Sequence, residues 1–224
     1  MQRIKEFINV GVLTAEIDQL AEELIQKEDA VPAFKGYKGF PANICVSINE
    51  EIVHGIPGRR EIKEGDIISL DLGINYKGYF SDLAVTQPVG EIEPKLQKLI
   101  DVTQTALFKG INQARPNNHV SDISYAIQSY VEEHGFSVVR QFVGHGIGYS
   151  LHEEPEIPNF GSPHQGDILK QGMVLAIEPM VNMGTWEAEI LDNGWTAVTK
   201  DRLFSAHFEH TVAITEKGPE ILTS

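Results

Sequence analysis

The chain has 224 residues, 42% of them hydrophobic and 22% charged, with a formal net charge of −14; that length can bury a full core, and nothing in the composition points to disorder. The acidity argues against a nucleic-acid-binding surface, where cations must meet phosphates. No apolar run approaches a membrane span, Met1 to Val10 lacks the apolar stretch of a secretory signal, and the single cysteine, Cys45, excludes an internal disulfide, so the cytoplasm is the expected location.

From Thr14, the stretch TAEIDQLAEELIQKEDA sets Ile17, Leu20, Ala21, Leu24 and Ile25 at helical spacing, with Thr14 as the expected N-cap. Residues 43 to 48 and 66 to 87 read as strands, rich in Ile, Val, Leu and Phe and punctuated by Gly and Asn. HGIP, residues 54 to 57, leaves His54 at a strand end. In ISLDLGINYKGYFSDLAV a hairpin is expected to turn around Tyr76 to Gly78, which gives Asp71 and Asp82 the same facing parity. Two facing carboxylates repel, and a cation between them is the natural compensation.

Pro94 starts a second helix, with Leu96, Leu99, Ile100, Thr103 and Leu107 on one face, and Ser121 is expected to cap a third that stops at Gly135. Strands are then expected at about 137 to 143, 173 to 183, 194 to 200 and 205 to 215. This order suggests a single domain of two like halves, about 1–115 and 116–224, with helices covering an antiparallel or mixed sheet.

The second half carries more chemistry. FVGHGIGYSLHEEP, residues 142 to 155, sets His145 between glycines, which allow close backbone approach, and follows it with His152. Glu153 and Glu154 are adjacent on an extended segment and point oppositely, so they are read as supporting residues rather than a metal pair. AIEPMVN and FEHTVAIT place Glu178 and Glu209 among apolar neighbours, where a carboxylate needs a partner. Alternation assigns Glu209, Thr211 and Ala213 to one face. Asp71, Asp82, His145, Glu178 and Glu209 together suggest a carboxylate-rich two-metal hydrolase.

The ordered set CVSINEEIVHGIP, LDLG with FSD, GHGIG with HEEP, IEPM and FEHT resembles methionine aminopeptidase in its short bacterial form, from about Val10 to the GPEILT ending. The resemblance implies an α+β protein with the pita-bread (creatinase/aminopeptidase) fold, its two pseudo-symmetric halves placing helices outside a curved antiparallel sheet. It implies removal of the initiator methionine from nascent polypeptides when the next residue is small, with the ribosome as the place of encounter. Asp82 and Glu209 would bridge two divalent metals, Asp71 would complete one, and His145 and Glu178 the other. The oxygen-dominated donor set suits Mn²⁺, Fe²⁺, Co²⁺ or Zn²⁺ without choosing among them.

The resemblance further implies that Glu178 moves the proton of the attacking water, His152 polarises the carbonyl of the first residue and His54 contacts the scissile amide nitrogen. Tyr37, Phe40, Cys45 and Trp195 would line the methionine pocket. Leu151 stands where the bacterial enzymes often carry an aromatic, and Phe40 where they often carry tyrosine. The family is monomeric and begins with a longer amphipathic helix where this chain has Met1 to Ile8. A strip of apolar surface is therefore expected to lie open, with self-association through it or lowered stability as the result. Two other readings stay open: a proline-specific aminopeptidase or dipeptidase of the same fold, and a non-catalytic binding protein that keeps the fold.

Overall fold

The computed structural model describes residues 1–223. Four helices, α1 (Gln2–Phe7), α2 (Thr14–Lys27), α3 (Pro94–Ile111) and α4 (Val120–Glu133), surround fifteen short strands. The first half holds β1 (Val31–Pro32), β2 (Cys45–Ile48), β3 (Glu51–Val53), β4 (Ile67–Tyr76) and β5 (Tyr79–Pro88). The second holds β6 (Ser137–Val138), β7 (Gly144–Gly146), β8 (Glu153–Ile157), β9 (Val174–Ile177), β10 (Met180–Asn182) and β11 (Ala188–Ile190). It continues with β12 (Ala197–Thr199), β13 (Ser205–His207), β14 (His210–Thr215) and β15 (Gly218–Ile221). Among the described residues, no helix is long and apolar enough to cross a membrane.

Every strand pair described is antiparallel, and the ladders form four sheets. The two that build the site are β4 with β1, β2 and β5, and the five-stranded β15-β14-β9-β7-β8. They meet where Glu209 N–H donates to Ala84 O at 2.9 Å. Beside it, the Thr211 hydroxyl donates to Asp82 O and accepts Asp82 N–H, both at 2.8 Å. One threonine thus satisfies both backbone groups of Asp82 across the two sheets.

The helices use their apolar faces as the spacing predicts. Leu96, Leu99, Ile100, Thr103 and Leu107 of α3 are buried, as are Ile17, Ala21 and Ile25 of α2. Two expected caps are displaced by one or two residues. Thr14 is the first residue inside α2, and the cap position falls to Leu13, whose N–H is taken by Glu16 Oε2 at 2.8 Å. The Thr14 hydroxyl instead serves Gly58, accepting its N–H at 2.8 Å. At α4 the cap is His119, whose N–H goes to Asp122 Oδ2 at 2.7 Å, while Ser121 Oγ accepts Gln165 N–H.

A six-residue helix such as α1 has no stability of its own. It is held because Ile4 and Ile8 are buried against Ile17, Ala21 and Ile68, and full burial of one such side chain contributes about 1.5–3 kcal/mol. These side chains fill part of the apolar strip expected to be open. Phe7 and Val10, 37% and 54% exposed, are the large apolar side chains left outside in this segment.

The later strands are more broken than their apolar runs suggest. The run 173 to 183 is cut at Glu178 and Pro179, and 205 to 215 at Phe208 and Glu209. Both interruptions release a carboxylate from its ladder. Of 137 to 143 only the first two residues form a ladder, and 194 to 200 begins with a turn in which Asn193 Oδ1 accepts the N–H groups of Trp195 and Thr196.

Candidate active site

The β4–β5 hairpin turns through Lys77 and Gly78, both at positive φ (53° and 88°), the pairing that two-residue hairpins favour. Its register sets Asp71 opposite Ala84 and Gly73 opposite Asp82, so the two aspartates are diagonal neighbours on one face. Their carboxyls come within hydrogen-bonding reach of each other. On the neighbouring strand Cys45 pairs with Asp71, which sets its buried thiol beside the Asp71 carboxyl, and that carboxyl in turn helps to raise the thiol's pKa.

His145 is the middle residue of β7, which is clasped between β8 and β9. A Cβ at Gly144 would lie 2.4 Å from Ala176 O, and one at Gly146 2.3 Å from Glu154 O. Only glycine on each side of His145 lets both neighbouring strands close. The ring is oriented by its Nδ1, which lies 2.8 Å from Gly146 O. Because a carbonyl can only accept, Nδ1 carries the proton and Nε2 keeps its lone pair for the cleft. That Nε2 lies 3.5 Å from Glu178 Oε1.

Glu178 sits where β9 breaks before Pro179, its backbone carbonyl held by Asn159 Nδ2 at 3.0 Å. Glu209 precedes β14 and is 2% exposed. Asp82, His145 and Glu209 each offer a donor atom within 4.8 Å of the others. Asp71 joins this group through Asp82, and Glu178 through His145. The five side chains proposed from the sequence therefore line one cavity, of about 200 Å³, together with His54 and His152.

The electrostatics of this cavity are those of a site built for cations. Burial pushes the Asp71 carboxyl up to about 8, with the nearby Glu178 adding to the shift against hydrogen bonds from Asp82 and Cys45. Burial first, and then neighbouring carboxylates, hold Asp82, Glu178 and Glu209 well above the usual carboxylate range. Asp71 Oδ1 and Glu209 Oε1 are buried without a hydrogen-bond partner. Buried polar atoms normally have one, and leaving each bare costs about 1–3 kcal/mol. Four ionised carboxylates would carry four negative charges, which two divalent cations balance, so the residues fit a pair of metal ions.

Around this acidic floor the walls are aromatic. Tyr37 stacks on His152 with centroids 5.1 Å apart, and His152 lies 4.2 Å from His145. Phe40 meets Trp195 edge-on at 5.2 Å, and His54 stands between Trp195 and Phe142. All four side chains expected to form the methionine pocket, Tyr37, Phe40, Cys45 and Trp195, line this cavity, with Leu151 and Phe34 beside them. His54 follows β3 in a left-handed conformation, φ 60°, which costs a non-glycine residue about 1–3 kcal/mol and is tolerated chiefly at functional sites. Burial lowers His54 to about 4. His152, open to solvent on one side, is lowered to about 4 by burial, His145 and Lys38. Both are neutral imidazoles at physiological pH, each with one N–H to donate.

Sequence reasoning missed His207. It is 1% exposed, its Nε2 lies 3.5 Å from Glu178 Oε2, and neither ring nitrogen has a hydrogen-bond partner. Burial lowers it to about 3, so it is neutral and makes no ion pair with Glu178. The available signal was its place in SAHFEH, two residues before Glu209. Phe142 and Phe34 were also missed as cavity walls.

The pattern of metallopeptidase family M24 matches residues 1–216. Methionine aminopeptidase 1 of Bacillus subtilis is 54% identical over 222 residues, a match covering 99% of this chain and 90% of the relative. The crystal structure of a methionine aminopeptidase from Thermotoga maritima superposes with a TM-score of 0.98 at 46% identity, covering all of this chain and 90% of that one. A methionine aminopeptidase structure from Rickettsia prowazekii gives the same TM-score and coverage at 41% identity. The chain has the pita-bread fold and belongs to metallopeptidase family M24, among its bacterial methionine aminopeptidases of the short form.

Proposed function

We propose that the chain is a metal-dependent aminopeptidase that removes the initiator methionine from nascent polypeptides when the next residue is small. The observation that carries this reading is a set of four carboxylates, three buried and Glu178 partly so, with one oriented imidazole, at the floor of an aromatic, thiol-bearing pocket. Asp71, Asp82, His145, Glu178 and Glu209 would hold two divalent cations. Such cations supply a Lewis acid and lower the pKa of a water toward neutrality. The donor set leaves Mn²⁺, Fe²⁺, Co²⁺ and Zn²⁺ as candidates.

Glu178 accepts the proton of the attacking water and passes it on to the leaving amine. His152 donates its N–H to the carbonyl oxygen as negative charge develops there, and His54 holds the scissile amide. Both histidines suit these roles because they are neutral donors at the rim of the carboxylate floor. Cys45, Phe40, Tyr37 and Trp195 surround the methionine side chain, whose thioether pairs well with aromatic rings. Residues 1–224 act as one catalytic domain of two like halves, the first giving Asp71 and Asp82, the second His145, Glu178 and Glu209. The cytoplasm, where new chains leave the ribosome, is the proposed place of work.

Peptide selectivity tests the reading. With metal supplied, release of methionine from Met-Ala-Ser is expected to exceed hydrolysis of any Xaa-Pro peptide by at least about 100-fold, the discrimination a shaped apolar pocket supports. Preference for Xaa-Pro peptides would instead identify a proline-specific relative, and cleavage of neither would leave a binding protein.

A further inference from the structure

Away from the central cleft, a second group of metal-binding side chains stands at the start of α4. His119 caps the helix, Asp122 lies in its first turn and His164 comes from the segment that follows β8. One donor atom from each lies within 4.8 Å of the other two. His164 Nδ1 is 3.3 Å from Asp122 Oδ1, and His119 Nδ1 is 3.8 Å from Asp122 Oδ2. Donor atoms around a tetrahedral ion with bonds of about 2.0–2.1 Å stand roughly 3.4 Å apart; the His164 spacing matches this, and the His119 spacing, to the other carboxylate oxygen, is a few tenths of an ångström wider.

The carboxylate is already aimed. Oδ2 accepts His119 N–H at 2.7 Å and Oδ1 accepts His164 N–H at 2.8 Å, which leaves each oxygen a further lone pair. Burial raises the Asp122 pKa, but these two bonds and the two histidines outweigh it and hold the group below its usual value. The backbone beneath is laced together: Val120 N–H donates to Asp167 O at 2.9 Å, Leu169 N–H to Asn118 O at 2.7 Å, and Gln165 N–H to Ser121 Oγ at 2.7 Å. His164 itself is held at φ 64°. The backbone that carries the three residues, and the Asp122 carboxylate, are held in place before any ion arrives, which leaves only the two imidazoles to turn onto it.

We propose that His119, Asp122 and His164 form a separate metal site, for a divalent transition cation with Zn²⁺ the best match, that clamps the segment after β8 onto α4. Two imidazoles and one carboxylate with an open side toward solvent suit Zn²⁺, whereas Mg²⁺ and Ca²⁺ take oxygen ligands. The positive end of the α4 dipole works against a cation here, and the full charge of Asp122 at the same place outweighs those partial charges. The same segment carries Asn159, which holds the Glu178 carbonyl. The clamp would hold this segment from outside the catalytic cleft, without touching substrate or any residue that lines the cavity.

Zinc alone is the probe. After equilibrium dialysis against micromolar zinc, the full chain is expected to keep one zinc more per chain than either His164→Ala or His119→Ala, with methionine release unchanged in both variants. His164 is exposed, so its loss leaves the fold intact. Proteolysis between Gly161 and Asp167 should slow with zinc in the parent chain and not in the variants. Equal zinc contents in all three proteins, or displacement of the extra zinc by millimolar magnesium, would overturn the proposal.

Discussion

Glu178→Gln is expected to lower kcat for methionine release by about 10²–10⁴-fold, the range of a lost general base, while making the metal-free protein more stable. The two effects have one origin. Glu178 lies between two neutral imidazoles, each 3.5 Å from one of its oxygens, inside a cavity with three other carboxylates. Burial and the nearby Asp82 disfavour its ionised form there and push its pKa well above the usual carboxylate range, so the folded metal-free chain is destabilised by a group that the unfolded chain ionises freely. Glutamine keeps the shape and the Asn159 contact to the backbone, but it removes both the charge and the proton acceptor. Activity and the melting temperature of chelated protein, measured on the same preparation, check this. A structural glutamate would give the opposite pair: retained turnover and lost stability.

The second large effect is a reversal of pH dependence on metal removal. The Asp71 carboxyl rises from an ordinary 3.8 to about 8 in the folded, metal-free chain. Over that window the folded chain keeps a proton that the unfolded chain releases, so this contribution to stability is complete below about pH 4 and is lost as pH climbs toward 8. Each unit is worth about 1.4 kcal/mol. Between pH 5 and pH 8 the chelated protein should therefore lose on the order of several kcal/mol, or about 10 °C in melting temperature for a chain of this size. Loaded protein should show the reverse trend, because cations bind the ionised carboxylates and their binding strengthens as protons leave. Melting curves at the two pH values, with and without chelator, decide it, and parallel trends would remove the carboxylate cluster as the cause.

Much of this was legible in the chain itself because several signals were local. A hairpin with alternating apolar residues and a Lys-Gly turn fixes which residues share a face, so the sequence alone pairs Asp71 with Asp82. The glycines around His145 marked a close backbone approach, and each proved to face a neighbouring carbonyl. The caps of α2 and α4 were misplaced because Thr14 and Ser121 spend their hydroxyls on Gly58 and Gln165, partners 44 residues away in the chain. No local pattern reports such a bond. The strand breaks at Glu178 and Glu209 were hidden for a related reason: their flanking residues are as apolar as any ladder, and only the assembled cleft shows why the pairing stops there. His207 escaped notice because a single histidine in an apolar run reads as core, and its importance depends on lying beside Glu178.

The α1 segment shows how packing can replace propensity. Its six residues would not stay helical alone, yet Ile4 is only 1% exposed. The apolar face of α2 supplies what the short helix lacks.

The central claim is that the acidic floor exists to hold cations and that those cations are needed for peptide hydrolysis. Its most direct test is a titration of chelated protein with Mn²⁺, Fe²⁺, Co²⁺ or Zn²⁺ in which bound metal and methionine released from Met-Ala-Ser are counted together. Release should be absent at the start and rise in step with metal bound at the cleft, in the parent chain but not in Asp82→Ala or Glu209→Ala. Release that persists in fully chelated protein, or that fails to appear with any metal, would contradict the account.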